Sequence, residues 1–289
     1  MLDLKSTLAY WKEYLSKTPN ETIARIVNWT EKVTYIDDLH YYIKSPYFKG
    51  EVINTEKKLK KLRNKMRKIE EFAFDTETSN LRVQYPGEVE VVGISISWGY
   101  NNTYYIPIGH LVNDDEDQLP IELVSKYLRE IFARKDVRII GHNLKFDMHV
   151  LANEGMLIET DDLFDTMVAY FHLDENNEKD LKSIVKRYYH YQMTEYDETV
   201  LMVPSHVKKE FGYKGNQKVP ISLVDMLFAT PYAMDDAYWT WKVYCDVQDA
   251  MEDEGCEWFF YEKHMPFLRV LFNMERRGVK VDVKRLEKM

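Results

Sequence analysis

The stretch Phe72-Ala73-Phe74-Asp75-Thr76-Glu77-Thr78-Ser79-Asn80-Leu81 constrains this chain more than any other. An apolar run ends in two carboxylates with one residue between them. On an extended strand successive side chains alternate faces, so Asp75 and Glu77 point one way and Thr76 the other. Two adjacent carboxylates repel unless something positive lies between them. Hard divalent cations such as Mg²⁺ or Mn²⁺ take oxygen ligands of this kind. The plain alternative is a strand that runs into a charged turn. Asp-x-Glu alone is common enough for that alternative to hold unless further acids converge on the pair.

The chain has 289 residues, room for one large or two modest domains, and 45% of them are apolar, enough for a real core. Its formal net charge is −9. Proteins that coat nucleic acid through phosphate contacts are usually basic, so this balance excludes passive coating more than it excludes a nuclease. Two cysteines, Cys245 and Cys256, are too few for a zinc site or a disulfide framework. There is no signal-peptide apolar region and no run of membrane-spanning length, which gives the expectation of a soluble, cytoplasmic protein with no membrane partner.

Leu4, Leu8, Trp11 and Leu15, then Ile23, Ile26, Val27 and Trp29, predict two helices, a helical N-terminal extension over 1–30 that packs on the domain after it. Val33–Ile36 reads as a strand with a short helix after it. Lys57–Ile69 is a basic helix with Leu59, Leu62, Met66 and Ile69 on one narrow face; its lysines read as a solvated surface, with phosphate contact the alternative. Val92–Trp98 and Thr103–Ile108 alternate as an antiparallel hairpin around Asn101-Asn102. Asp114–Asp117 reads as a solvated loop. Pro120 opens a helix with Ile121, Val124, Leu128 and Ile131 on one face. Val137–Asn143 is a short buried strand that runs into a helix from Leu144 to near Gly155. Asp147 falls in that helix's first turn, where the dipole favours negative charge. Helices come next over Leu163–Leu173 and Leu181–Tyr189; from Met193 to Val219 the pattern weakens, with a loop at Lys214–Lys218, and such a stretch is a candidate for a mobile segment near a substrate. Thr230-Pro231 predicts a helix start, and Gly255 its end, with Tyr232 and Asp236 sharing a face. This order of elements gives an α/β mixed sheet flanked by helices.

Three motifs stand in order: Asp75-x-Glu77, Asn143-x-x-Phe146-Asp147 and Tyr232-x-x-x-Asp236. Together they resemble the DEDD superfamily of 3′–5′ exonucleases in its Tyr-containing branch. The resemblance is close to the proofreading domain of family A, DNA polymerase I-like, polymerases. Phe74–Thr78 with Leu81, Asn143-Leu144-Lys145-Phe146-Asp147 and Tyr232-Ala233-Met234-Asp235-Asp236 carry it. Val92–Ser95, Tyr105–Ile108 and Phe164–Met167 are similar too. It runs from about Val33 to the C-terminus. Met265–Leu268 and Met274–Asp282 look like the lead from exonuclease into polymerase, against the plain reading of an amphipathic helix, then Gly and a strand. Nothing in the chain resembles the polymerase palm motifs. Phe146 stands where the family often has Tyr, and His142 where another polar residue is common. His142 with Asp147 mimics the third motif of the sister branch, but Asp147 already belongs to the second motif.

The resemblance implies a ribonuclease H-like (DnaQ-like exonuclease) fold over 31–262 and, over 263–289, the start of a linker/polymerase domain, truncated. It implies that Asp75, Glu77, Asp147 and Asp236 hold two Mg²⁺ or Mn²⁺ ions. Tyr232 would orient the attacking water. Thr78, Leu81, His142, Asn143 and Phe146 would contact a single-stranded DNA 3′ end. A family A polymerase domain or fragment is the expected partner, and a virus-encoded protein acting in the host cytoplasm would fit. An exoribonuclease of the same branch and a non-catalytic scaffold of a split polymerase are the alternatives.

Overall fold

The computed structural model describes residues 4–37, 40–114, 117–215 and 217–288. Its frame is a mixed sheet in the order β1-β2-β3-β6-β5-β4-β7-β8. The strands are β1 (Thr34–Asp37), β2 (His40–Lys44), β3 (Lys49–Val52), β4 (Glu71–Thr78), β5 (Val91–Ser97), β6 (Thr103–Pro107), β7 (Arg138–Gly141) and β8 (Leu163–Asp165). β4 pairs antiparallel with β5 along most of its length, but parallel with β7 only from Glu71 to Ala73. The pairing of β7 with β4 therefore ends near the middle of β4.

The helices begin with α1 (Leu4–Lys17) and α2 (Glu21–Val33), the expected N-terminal pair, and α3 (Glu56–Met66), the basic helix. Trp11 of α1 meets Phe228 at 6.4 Å between ring centroids, which seats the pair on the later part of the chain. Leu59, Leu62 and Met66 of α3 are buried, and Lys57, Lys60 and Lys61 face out, as the narrow apolar stripe predicts. α4 (Ile121–Phe132) packs beside α3. Its Phe132 ring stands 5.8 Å from that of Phe72 and 5.2 Å from that of Phe74. The even residues of β4 thus enter the core under α4, and alternation turns Ala73, Asp75 and Glu77 to the opposite face.

That face is covered by α10 (Met226–Asp253), which crosses β4, β5 and β6. Between α4 and α10 lie α5 (Leu144–Asn153), α6 (Thr166–Leu173), α7 (Leu181–Tyr189) and two short helices, α8 (Tyr196–Thr199) and α9 (Ser205–Glu210). Gly255, at φ +65°, comes just after the end of α10 as predicted. Farther down α10 the Tyr244 hydroxyl donates to Glu71 Oε2 at 2.6 Å, and Arg138 donates to Tyr244 at 3.0 Å. A short turn, α11 (Glu257–Phe259), and a π-turn over Phe260–His264 lead into α12 (Met265–Arg277). Among the described residues no helix is long and apolar enough to cross a membrane.

Three readings need correction. The segment after β1 is a strand, β2, not a helix; β1 and β2 close a hairpin whose register pairs Asp37 with His40. Leu163–Asp165 is strand β8, paired parallel with β7, because an edge position beside a buried strand outweighs helical pattern in three residues. Within Met193–Val219, where the pattern weakens, lie α8, α9 and a 3₁₀ turn, and residues 214, 215, 217 and 218 lie outside any helix or strand, as the expected loop requires. α10 starts at Met226, not at Thr230-Pro231. Asp225 caps it by accepting from the Leu227 amide at 2.8 Å, and Pro231 lies inside, six residues into the helix. After Gly278 comes a four-residue helix, α13 (Val283–Leu286), capped by Asp282, and not the strand of the plain alternative reading. In the Asp114–Asp117 loop, residues 115 and 116 lie outside the described residues.

Because Phe132 fills the space between two rings of the central strand, Phe132→Ala should cost about 3–5 kcal/mol of unfolding free energy. Urea titration checks this; a loss below about 1 kcal/mol would show that the α4–β4 contact is not a packed core.

Candidate active site

Asp75 and Glu77 leave β4 on the face covered by α10, opposite Phe72 and Phe74. Asp236 descends toward them from α10. One carboxylate oxygen from each of the three lies within 4.8 Å of the others. Glu77 and Asp236 are 6% and 8% exposed. Tyr232, one turn before Asp236, is buried beside it. Two of the acid oxygens, Glu77 Oε1 and Asp236 Oδ1, are buried without a hydrogen-bond partner. Unpartnered buried oxygens cost free energy, so their clustering is a device rather than an accident of packing.

The fourth acid stands slightly apart. Asp147 Oδ1 accepts from the Thr76 amide at 3.0 Å and from the Thr76 hydroxyl at 2.6 Å. The reason is topological. β7 stops pairing with β4 at Ala73, which leaves the Thr76 N–H on that side with no ladder partner. The first turn of α5 supplies the missing acceptor. The odd residues of β4 thus carry two of the four clustered acids, Asp75 and Glu77, and an even one, Thr76, anchors Asp147.

Asp165 sets the start of α5. One oxygen accepts from the Asn143 amide at 3.1 Å and the other from the Leu144 amide at 2.8 Å; it also accepts from Met167 and caps α6. Asn143 holds a left-handed conformation at φ 62°, one that asparagine tolerates better than most residues. The strand-to-helix turn that aims Asp147 is therefore made by Asn143 and Asp165 together. Sequence reasoning placed Asn143 but gave Asp165 no role; its signal was the similarity of Phe164–Met167.

Burial dominates the electrostatics. It pushes the carboxyl of Glu77 up to about 8, with Asp236 adding to the rise. Asp147 is raised to about 7 by burial, although the two Thr76 bonds oppose it. Asp75 is raised well above its ordinary range by burial, then by Asp147 and Glu77. Asp236 is raised by burial, against which Lys182 works. Burial and the acids also push the Tyr232 phenol well up, so it keeps its proton at neutral pH. Lys182, from α7, is a second residue that sequence reasoning missed. Its ammonium lies 3.5 Å from Asp236 Oδ2 and donates to the Tyr232 oxygen at 3.3 Å.

The remaining predicted residues surround this centre unequally. Leu81 is 79% exposed. Thr78 is nearly buried, and its hydroxyl donates to the Asn80 carbonyl at 2.9 Å, within the turn that presents Leu81. His142 bonds Thr166 Oγ1 through Nδ1 at 2.8 Å, and burial lowers its pKa to about 4, so it is neutral. Asn143 is exposed and Phe146 is partly buried at the head of α5. The donor set suits a hard divalent ion: all oxygen, clustered, short of partners and rich in negative charge.

Comparisons with known proteins bear on the family and the fold. The family described as 3′–5′ exonuclease, of the DNA polymerase A group, matches residues 51–252. The DNA polymerase I of Chloroflexus aurantiacus is 31% identical over 227 residues, 78% of this chain and 22% of that protein. The DNA polymerase I of Borreliella burgdorferi is 27% identical, over 87% of this chain and 25% of its own length. The DNA polymerase of Escherichia phage T5 is 28% identical, over 74% of this chain and 24% of its length. The chain thus spans about a quarter of these curated relatives. Among solved structures, Pol1 from M. smegmatis, in complex with DNA primer-template and dNTP, superposes with TM-score 0.55 at 16% identity, over 80% of this chain and 32% of that one. Escherichia coli RNase D, an exoribonuclease, does so with TM-score 0.53 at 16% identity, over 79% and 51%. At such identity these two likenesses establish the fold, a ribonuclease H-like one.

Raised carboxyl pKa values mean that the folded, metal-free protein keeps protons that the unfolded chain has released. Its stability therefore falls as pH rises from the ordinary carboxylate range near 4 toward about 8, the value for Glu77. In chelator, the melting temperature should drop steadily from pH 5 to pH 8, and Glu77→Gln should flatten the slope. A chelated melting temperature that rises over that window would contradict the assignment.

Proposed function

This chain belongs to the 3′–5′ exonuclease family of the DNA polymerase I type, and from that premise we propose that it removes nucleoside 5′-monophosphates from DNA 3′ ends, with divalent metal, as a proofreading activity. The observation that supports this best is the cluster of Asp75, Glu77 and Asp236 with two buried oxygens left unpartnered. Those three, with Asp147 beside them, would hold Mg²⁺ or Mn²⁺ ions. Bound there, the ions supply Lewis acidity toward the phosphoryl oxygens and lower the pKa of water.

The chain's own groups do the rest. Tyr232 keeps its proton at neutral pH, so it orients the attacking water by a hydrogen bond and does not deprotonate it. The water oxygen bonds to phosphorus in line as the P–O3′ bond breaks. The electron pair leaves on the 3′ oxygen, which takes a proton from solvent; the water's proton passes to solvent. The products are a nucleoside 5′-monophosphate and a chain one nucleotide shorter. Leu81, exposed at the end of the β4 turn, wedges against the terminal base. Phe146 stacks on a base, and Asn143 and neutral His142 line the strand's path by hydrogen bonds. Thr78 supports Leu81 through the Asn80 turn. A mismatched terminus costs less to unpair, so it reaches this site more often than a paired one. The family A polymerase that such a domain serves is the proposed partner.

A single-stranded DNA labelled at its 5′ end should shorten stepwise with Mg²⁺ and stay intact in chelator. Asp75→Ala should lower the rate by on the order of 10³-fold, the effect of several kcal/mol lost from the transition state. No shortening by the wild-type chain would leave a scaffold role, and faster shortening of a matched RNA would make it an exoribonuclease. Leu81→Ala should reduce the preference for a mismatched over a paired primer end, read as the ratio of the two initial rates. An unchanged ratio would remove Leu81 from the wedge.

A further inference from the structure

Lys182 is the second residue of α7, just after its cap Asp180. A cation at a helix N-terminus opposes the dipole, so helix stability alone does not select it. Nor is it a solvated surface lysine, since its side chain is 16% exposed. Its ammonium lies over the Tyr232 ring, 4.5 Å from the centroid, as well as beside the hydroxyl and Asp236. Burial works against its charge, but Asp236, Glu77, Glu195 and Asp75 more than restore it. α7 contributes none of the four acids, yet it places a fixed positive charge among them.

We propose that Lys182 is a further catalytic residue, whose ammonium contacts a non-bridging oxygen of the terminal phosphodiester. An ammonium has three N–H donors. Tyr232 and Asp236 account for two directions, which leaves one for a ligand. In the proposed reaction Tyr232 aims the water that attacks the phosphate, so a ligand within reach of Tyr232 is within reach of Lys182. Negative charge on the phosphoryl oxygens is what a buried, pre-positioned cation stabilises most. The same charge competes with any divalent cation for Asp236. Lys182 therefore has two effects of opposite sign: it weakens metal binding to the free protein and speeds the reaction. This proposal rests on the exonuclease reading.

The test uses the full chain with Lys182→Met and Lys182→Arg. Calorimetric titration with Mn²⁺, without DNA, should show several-fold tighter binding to Lys182→Met than to wild type. At saturating Mg²⁺ the same variant should lose about 10²-fold in kcat on a 5′-labelled oligonucleotide, the usual effect of removing one oxyanion donor, with KM within about threefold. Lys182→Arg should recover at least a tenth of wild-type kcat. A Lys182→Met variant with wild-type kcat overturns the proposal. So does one whose kcat falls together with weaker Mn²⁺ binding and a lower melting temperature, since that is a structural defect. A wild-type chain that leaves DNA intact overturns the exonuclease reading itself, whereas a wild type and a Lys182→Met variant that degrade DNA equally fast overturn only the role of Lys182.

Discussion

The structure is built against one repulsion: three carboxylates, Asp75, Glu77 and Asp236, held within 4.8 Å in a largely buried place. Left to themselves they would separate or take up protons, and their raised pKa values register the second tendency. Separation is prevented by mechanics. β4 is zipped to β5 from Ala73 to Thr78, with a shift of register only at Glu77/Thr78, and α10 lies across both strands. Gly93, paired with Glu77, must be glycine for a related reason: a Cβ there would fall 2.1 Å from the Tyr105 hydroxyl. Rigid surroundings of this kind let a protein keep an unfavourable local arrangement whose value appears only when a ligand binds.

The fourth acid depends on how the sheet ends. Had β7 continued beside β4, the Thr76 amide would have found a backbone partner, and Asp147 would have lost one of its two Thr76 bonds. An early exit from a parallel ladder thus becomes a way to bring a helix-borne carboxylate to a strand. Asp165, at the end of β8, extends the same logic by one strand, because it holds the turn that starts α5.

Much of this was legible in the residues. The alternation of Val92–Trp98, the stripe of α3 and the single-residue spacing in Asp75-x-Glu77 each fix a face, because periodicity is a direct consequence of backbone geometry. What was hidden lacked periodicity or carried a competing signal. β2 and β8 have five and three residues, too few for a pattern. Thr230-Pro231 imitates a helix start, and nothing local shows that Asp225 has already begun one. Lys182 was hidden for another reason. Among Lys179, Lys186 and Arg187 it reads as one more charge on a wet helix, and only the packing of α7 turns it inward.

The two anchors of α10 have a consequence for how this family can change. Asp236 meets Asp75, and eight residues later Tyr244 bonds Glu71, four residues before Asp75. Eight helical residues rise about 12 Å and four strand residues about 13 Å, so the two spans match. Helix and strand behave as two scales read against each other at both ends. Adding or deleting one residue in either span would break the Tyr244 anchor or swing an acid to the wrong face. Substitutions can accumulate along this pair, but its lengths cannot drift, so insertions between relatives should collect in the loops that join the two elements and leave these spans untouched.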